Sequence, residues 1–300
     1  MESKIVPLSE KAKAILPDSV SLHVELHSLG FLSLQLLVLI AHLWRRRSFQ
    51  IADIPRSKRT VDCFTFTVKL RVLNAHLKPG FGNRDYRYLR AAIKELSKFQ
   101  VEELRRTLTG KEDEKVIHLF DYDWSEDRSE VIFTLSWHFA EALQMLDEQM
   151  VDFTKIPVAD ALALSASSHL LMLFLASKVR GFYVSDRRTK PVWWLRDYFG
   201  LTDSYYDQPR YVLHKLEDIA RIVSAKTSFR IKLIGVRDEH NARRLAEVQF
   251  DVNRPRPTIR KRPNGPHIKK PPLLKELHER LAEDEERHSY RPLPGECNDE

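Results

Sequence analysis

The sequence has little cysteine and lacks a long apolar run. Its two cysteines, Cys63 and Cys297, lie too far apart to indicate a disulfide framework or a metal-binding spacing, so a reducing cytoplasm fits best. Residues 1–19 carry charges and two prolines without the apolar core of a signal peptide. The longest apolar runs, 36–41 and 170–176, are too short to span a bilayer. The sequence therefore predicts a cytoplasmic protein without membrane insertion.

The motifs of common enzyme sites are missing as well. The Gly-Lys pair at 110–111 is followed by Glu112, and Arg105 stands where a phosphate-binding loop needs its first glycine. His23 and His27 are not an H-x-H metal pair, and the 12 histidines are scattered. No tyrosine–carboxylate set indicates a nicking enzyme. We therefore expect no catalytic residues, no metal and no cofactor, and a protein that is not an enzyme.

The charge balance points to a polyanionic partner. Lys and Arg number 49 against 42 Asp and Glu, which gives a formal net charge of +7. Such an excess favours nucleic acid or an acidic membrane surface. Hydrophobic residues at 43% are ordinary for a globular protein, and 300 residues suffice for two domains that each have a core.

One order of predicted elements occurs twice: an apolar helix, a shorter helical stretch, a basic amphipathic helix and two strands. In the first copy the apolar helix, the basic helix and the strands are expected at residues 33–47, 84–100, 115–122 and 130–136. In the second copy the three helices and two strands are expected at residues 168–180, 191–200, 208–225, 229–236 and 245–252. This order predicts an α+β fold of two tandem winged-helix domains, mainly helical, with a β-hairpin wing in each.

Domain boundaries follow from this order. We expect an N-terminal segment at 1–30, a first winged-helix domain at 31–137, a linker helix and second winged-helix domain at 138–252, and a C-terminal tail at 253–300. Residues 252–272 contain seven Lys or Arg, six prolines and no acid, which predicts an extended, mobile basic linker.

The basic helix of the first copy carries a cationic stripe. Its members recur at steps of three or four, opposite an apolar face, and are Arg84, Arg87, Arg90, Lys94 and Lys98. A cationic stripe on a helix can reach phosphates and guanine edges in a major groove. A solvated surface is the alternative, and the helix-then-hairpin context favours DNA.

The amphipathic helix of the second copy has a mixed polar face. Its expected core face is Val212, Leu216, Ile219, Ala220 and Val223. Residues near the N-terminus of a recognition helix usually meet the bases, so the candidate reading residues are Gln208, Arg210, Tyr211 and His214, with Lys215 beside them. Tyr205 and Tyr206, in the preceding turn, are open to two interpretations: donation to phosphate or simple packing.

The two hairpins differ in charge. The second has cations suited to phosphate or minor-groove contact, namely Arg230, Lys232, Arg243 and Arg244. The first carries acids at Asp121, Asp123, Glu126, Asp127 and Glu130, with Arg128 opposing them. An acidic tip against DNA would cost Coulomb energy. The first hairpin is therefore a solvated loop or faces a protein partner.

These patterns resemble the plasmid replication initiators built from two winged helices, over about residues 31–252. The resemblance is carried by Phe-Thr-Lys-Ile-Pro at 153–157, Leu-Ser-Ala-Ser-Ser at 164–168, Trp-Leu-Arg-Asp-Tyr-Phe-Gly-Leu at 194–201 and Tyr-Val-Leu-His-Lys-Leu at 211–216. It implies binding to repeated double-stranded sites, called iterons, at a plasmid origin. It also implies origin opening and recruitment of host replication proteins, a helicase or initiator, without ATP hydrolysis. In this family monomers bind iterons, and dimers formed through the first winged helix often repress their own gene.

The sequence thus favours a division of labour, with base recognition in the second half and anchoring and assembly in the first. A winged-helix transcription regulator without initiator activity is the main alternative. An enzyme of the nicking or primase-like class, and an adaptor for host proteins with little DNA specificity, are further alternatives.

Overall fold

Over the residues that the structure describes, helices and three small antiparallel sheets give an α+β fold. The computed structural model describes residues 12–52, 64–77, 86–101, 118–145, 153–180, 188–238 and 245–253. Its helices are α1 (Asp18–Ser21), α2 (Phe31–Ala52), α3 (Leu70–Leu77), α4 (Arg87–Ser97), α5 (Trp137–Met145), α6 (Val158–Leu162), α7 (Ser167–Val179), α8 (Val192–Tyr198) and α9 (Pro209–Lys226). Its strands are β1 (Lys13–Pro17), β2 (Thr65–Lys69), β3 (Phe120–Trp124), β4 (Glu130–Leu135), β5 (Phe153–Pro157), β6 (Thr189–Pro191), β7 (Arg230–Arg237) and β8 (Leu245–Asn253). Two 3-10 helices span Val24–Ser28 and Ser204–Asp207.

Helix α2 is buried on its whole circumference over residues 34–41, where no side chain is more than 2% exposed. A helix that is apolar all round is expected where other elements surround it. Helix α2 packs against β1, α4, α6 and α7, which come from both halves of the chain. The described residues all lie within one compact unit, Met1–Pro255, and the buried residues of α2 belong to its core.

The first three-stranded sheet has the order β2-β4-β3. Alternate residues of the central strand, Val131, Phe133 and Leu135, are buried, as the period of two in a strand requires. Phe66 lies opposite Phe133 in the register, and Phe120 meets the Phe133 ring edge-on with centroids 5.2 Å apart. Helix α4 packs against β3 of this sheet.

The second three-stranded sheet has the order β6-β8-β7. Leu233 lies opposite Phe250 across the hairpin, and both side chains are buried. Helix α9 packs on this sheet and on α7 and α8. The predicted core face of α9 is confirmed, since Val212, Leu216, Ile219, Ala220 and Val223 are all at most 3% exposed.

A two-stranded sheet joins the beginning of the chain to its second half, because β1 pairs antiparallel with β5. Polar side chains beside this sheet form a network. Asp18 accepts a hydrogen bond from the Thr154 hydroxyl at 2.8 Å and pairs with Lys178. The Ser21 hydroxyl donates to Thr154 at 3.0 Å, and the Tyr198 hydroxyl donates to the Ser21 carbonyl at 2.9 Å. Complete burial raises the pKa of the Tyr198 phenol.

The observed elements follow the predicted order, with one displaced strand. The first strand of the first hairpin was expected at 115–122, but β3 begins at Phe120 and its inward positions continue to Trp124. The apolar run near 116–120 suggested an earlier strand, whereas β3 alternates aromatic and acidic residues. Residues 102–117, 146–152 and 254–300 lie outside the described residues, and so do the predicted basic linker and tail beyond Asn253, the last residue of β8.

Candidate nucleic-acid interface

Helix α9 is positioned to present its first turn to solvent. Pro209 occupies the first turn, where its missing N–H costs nothing, and Gln208 precedes it in an extended conformation. The buried face of α9 fixes its rotation about its own axis. As a result Gln208, Arg210, His214 and Lys215 are exposed, and Tyr211 is partly exposed. The structure therefore places the four predicted reading residues, with Lys215 beside them, at one end of one helix.

The turn between α8 and α9 is held by a glycine and an arginine. Gly200 has φ +62°, in the left-handed region. The Leu201 N–H donates to the Arg196 carbonyl at 2.9 Å, and this hydrogen bond ends helix α8. The Arg196 side chain donates from Nε to the Leu201 carbonyl at 3.2 Å and from Nη1 to Asp207 at 2.7 Å. These contacts fix the 3-10 helix that leads into α9.

Three side chains form a stack at the start of α9, which we call the tyrosine–arginine stack (Tyr205, Tyr211 and Arg210). The rings of Tyr205 and Tyr211 lie with centroids 3.9 Å apart and planes inclined by 20°. The Arg210 guanidinium carbon lies 4.5 Å from the Tyr211 ring centre, and Arg210 Nη2 donates to the Tyr211 hydroxyl at 2.7 Å. Asp203 accepts the Tyr205 N–H at 2.9 Å and so fixes the backbone below the stack.

Further along α9, the Asp218 carboxylate lies close to two side chains of the same helix. Asp218 lies 2.5 Å from Arg221 Nη2 and 3.7 Å from His214 Nδ1. The sequence raised the concern that Glu217 and Asp218 would repel phosphate. The Arg221 guanidinium offsets the charge of Asp218, while Glu217 is exposed and lines a groove between α9 and β7.

The cations of the second hairpin have different roles. The Arg230 guanidinium donates to the carbonyl oxygens of Ser224 and Phe229, which ties β7 to the end of α9. Lys232 is exposed on the same strand. Arg243 and Arg244 lie outside the described residues, so their predicted contacts with DNA stay predictions.

The members of the cationic stripe of α4 differ in exposure. Arg87, Lys94 and Lys98 are exposed, but Arg90 is partly buried, with its guanidinium 5.5 Å from the Trp124 ring centre on β3. The intervening acid, Glu95, turns back to the start of α2, where it accepts from the Gly30 N–H at 3.1 Å and from the Ser33 hydroxyl. Arg84 lies outside the described residues.

Helices α4 and α9 begin with similar residues. Helix α4 begins Arg87-Tyr88-Leu89 and α9 has Arg210-Tyr211-Val212 in its first turn, and in each case the third residue is the first core position. Tyr88 is 61% exposed, whereas Tyr211 is covered on one face by Tyr205. The two halves thus present the same pair of side chains in different surroundings.

The turn of the acidic β3–β4 hairpin is stabilised by hydrogen bonds between its own residues. The Asp127 carboxylate accepts from the Ser125 hydroxyl at 2.7 Å and from the Ser129 N–H at 3.0 Å. These hydrogen bonds lower the pKa of Asp127 to about 2. Asp121, Asp123 and Glu126 are exposed, so the hairpin keeps a negative surface at neutral pH.

A histidine near α9 was not foreseen from the sequence. Burial lowers the pKa of His169 in α7, and the charges of Lys226 and Lys215 lower it further. His169 is far from both lysines in the sequence, so no local pattern could have associated them. Within the described ranges, no three His, Cys, Asp or Glu side chains gather in a way that could hold a metal ion. None of the described helices has both the length and the apolarity to cross a bilayer.

Comparison with solved structures identifies the fold. No protein-family model matches the chain, and no curated protein matches its sequence. Among solved structures, the Pi initiator protein in complex with iteron DNA has a TM-score of 0.54 at 14% identity, covering 82% of this chain and 98% of that chain. Domains 2 and 3 of RctB give a TM-score of 0.34 at 9% identity, over 82% of this chain and 93% of that chain. The likeness to the Pi protein shows that this chain shares its fold.

Proposed function

We propose that this protein is a replication initiator that binds repeated double-stranded sites, or iterons, sequence-specifically. The observation that carries the proposal is the fold shared with nearly the whole Pi initiator, which was crystallised on iteron DNA. The net charge of +7 and the exposed cations at the start of α9 support a polyanionic partner.

The element order supports two tandem winged helices. In the second half, α7, α8 and α9 are followed by the β7–β8 hairpin, with β6 as a third strand. In the first half, α2, α3 and α4 are followed by the β3–β4 hairpin, with β2 as a third strand. Three helices and a three-stranded sheet in this order are the parts of a winged helix, and α4 and α9 take the place of the recognition helix.

In this proposal the two halves differ in task. Helix α9 reads base edges through Arg210 and its neighbours, while Arg87, Lys94 and Lys98 of α4 add phosphate contacts. The acidic β3–β4 hairpin turns away from DNA and serves assembly, either as a dimer that represses its own gene or with a host replication protein. The protein opens the origin by binding and recruitment in the cytoplasm, and it catalyses no reaction itself.

Two experiments test the proposal. First, the purified full chain is allowed to select duplexes from a random-sequence library, and the selected motif is compared with the DNA that flanks the gene. We expect direct repeats of the motif, spaced by about two helical turns, since two groove-reading modules span that length. An unchanged library after selection would contradict sequence-specific binding.

Second, a plasmid that carries the gene and its flanking DNA as the sole origin is introduced into a host. Autonomous copying is expected, and it should be lost when the repeats are scrambled. A protein that binds the repeats and represses transcription without supporting copying would instead be a winged-helix regulator.

A further inference from the structure

The tyrosine–arginine stack leaves most of the Arg210 donors available. A guanidinium has five N–H groups, and one of them donates to the Tyr211 hydroxyl. The remaining donors can still form the two parallel hydrogen bonds that an arginine makes to O6 and N7 of guanine. The stack is therefore compatible with base reading, and it defines the direction in which Arg210 leaves the helix.

Holding Arg210 in advance has an energetic consequence. A free arginine on a helix surface samples many rotamers and loses that freedom when it binds a base. A side chain that is already ordered loses less, so its contact contributes more to affinity for the correct base. Tyr211 alone would hold Arg210 weakly, because a half-exposed ring next to it in sequence is itself free to rotate.

Tyr205 supplies the missing restraint. Its ring covers the Tyr211 ring over a near-parallel contact of 3.9 Å. Its own position is fixed by the 3-10 helix, which Asp203 caps and which the Arg196–Asp207 ion pair ties to α8. Support thus passes from α8 through the turn to Tyr205, then to Tyr211 and finally to Arg210.

We propose that Tyr205 is a positioning residue that determines specificity, holding Arg210 through Tyr211 for the recognition of one guanine in the duplex site. This inference rests on the proposed function, since it needs a helix that reads bases. It differs from a role in which the Tyr205 hydroxyl donates to a phosphate, because a phosphate contact needs the hydroxyl and is indifferent to sequence.

The test is a double-mutant cycle on DNA. The full chain selects a duplex from a random-sequence library, and affinities are then measured by fluorescence anisotropy on that duplex and on versions with each single base pair replaced. Arg210→Ala identifies the guanine position, where wild-type discrimination of about 5- to 150-fold is expected. Tyr205→Ala should lower discrimination at that same position by about 2- to 12-fold, and at no other position.

Two conservative variants separate positioning from direct contact. Tyr205→Phe keeps the ring and should retain wild-type discrimination. Tyr211→Phe removes only the acceptor for Arg210 and should lower discrimination at the same position as Tyr205→Ala. In the Arg210→Ala background, Tyr205→Ala should have no further effect on discrimination, because the side chain that it positions is gone.

Three results would overturn the inference. Additive losses from Tyr205→Ala and Arg210→Ala would show that the two residues act independently. A uniform loss on all duplexes in both Tyr205→Phe and Tyr205→Ala would assign Tyr205 to a phosphate. Unchanged discrimination in Tyr205→Ala, with a thermal midpoint like that of the wild type, would show that Tyr205 has no role in recognition. If the wild-type chain selects no duplex at all, the proposed function itself fails.

Discussion

The side-chain amide of Gln35, near the start of α2, donates a hydrogen bond of 2.7 Å to the backbone oxygen of Leu164. The same nitrogen lies 3.2 Å from the carbonyl oxygens of Ala161 and Leu162. The last carbonyls of a helix have no partner within it. Gln35 therefore donates, from a different helix, to carbonyl oxygens at the end of α6 and just beyond it, and it connects the two halves through a buried polar contact.

Replacing Gln35 by leucine should destabilise the fold. Leucine is similar in size but donates nothing, so the Leu164 oxygen would be left buried without its donor. We expect the free energy of unfolding to fall by about 1–3 kcal/mol, measured by urea denaturation followed by circular dichroism. The control is Gln100→Leu at an exposed position, where a change within about 0.5 kcal/mol is expected. Equal effects in the two variants would contradict the role of Gln35.

A side chain at position 200 should be poorly tolerated. Gly200 has φ +62°, and a Cβ atom there would lie 2.4 Å from the His27 ring. Gly200→Ala should therefore lower stability by about 1–3 kcal/mol through backbone strain and overlap together. Thermal unfolding measures the effect. The double variant His27→Ala/Gly200→Ala removes the overlap but not the strain. The loss of stability caused by Gly200→Ala should therefore be smaller when it is measured against His27→Ala than when it is measured against the wild type.

Substitutions on the two candidate DNA-binding helices should have different signatures. Arg210→Ala should cost about 1–3 kcal/mol on the selected duplex and much less on a scrambled one, because it removes a base contact. Lys94→Ala should weaken both duplexes evenly and reduce the slope of log affinity against log salt by about 1. Footprinting and titration in a salt series compare the two. Full specificity in Arg210→Ala would contradict base reading by α9.

Stability should decrease in mildly acidic solution. The pKa of His169 is lowered in the folded protein, while the unfolded chain has the ordinary value of about 6.5. Above that pH both states are neutral at this site. As the pH falls below it, the unfolded state takes up a proton more readily, so stability is lost until the folded pKa is passed.

Urea midpoints at pH 7.5 and 5.5 measure this loss, and His169→Gln should reduce it. Burial, with a smaller contribution from His42, also lowers the pKa of His76, so part of the loss should persist in the variant. A pH dependence identical to that of the wild type would show that His169 titrates normally.

The sequence predicted the elements whose pattern is local. The core face of α9 repeats with the helical period, and the β7–β8 hairpin alternates with the period of a strand, so both were found within a few residues. Strands β1, β2, β5 and β6 have five residues or fewer and pair with distant segments. Their stability comes from those partners, and a local pattern cannot reveal them.

In the candidate site, too, some residues could be predicted from local sequence patterns and others could not. Arg210 and Tyr211 were found because the start of a helix following a proline is a local signal. The place of Arg90 against Trp124 depends on packing between segments that are far apart in sequence. The ring of Tyr205 lies six residues before its partner, across a turn whose shape depends on Gly200 and on the Arg196–Asp207 pair, so its orientation required the structure.

The pairing of β1 with β5 has a consequence for biosynthesis. Lys13 lies opposite Pro157, so the strand that leaves the ribosome early waits for a partner that is made much later. At about 5–20 residues per second, this wait is on the order of ten seconds. During that time Ala14, Ile15 and Leu16, which are buried in the finished fold, have no partner strand. Strand β1 therefore cannot complete its sheet until the second half is made, and in nascent chains stopped before β5 the β1 segment should be protease-sensitive.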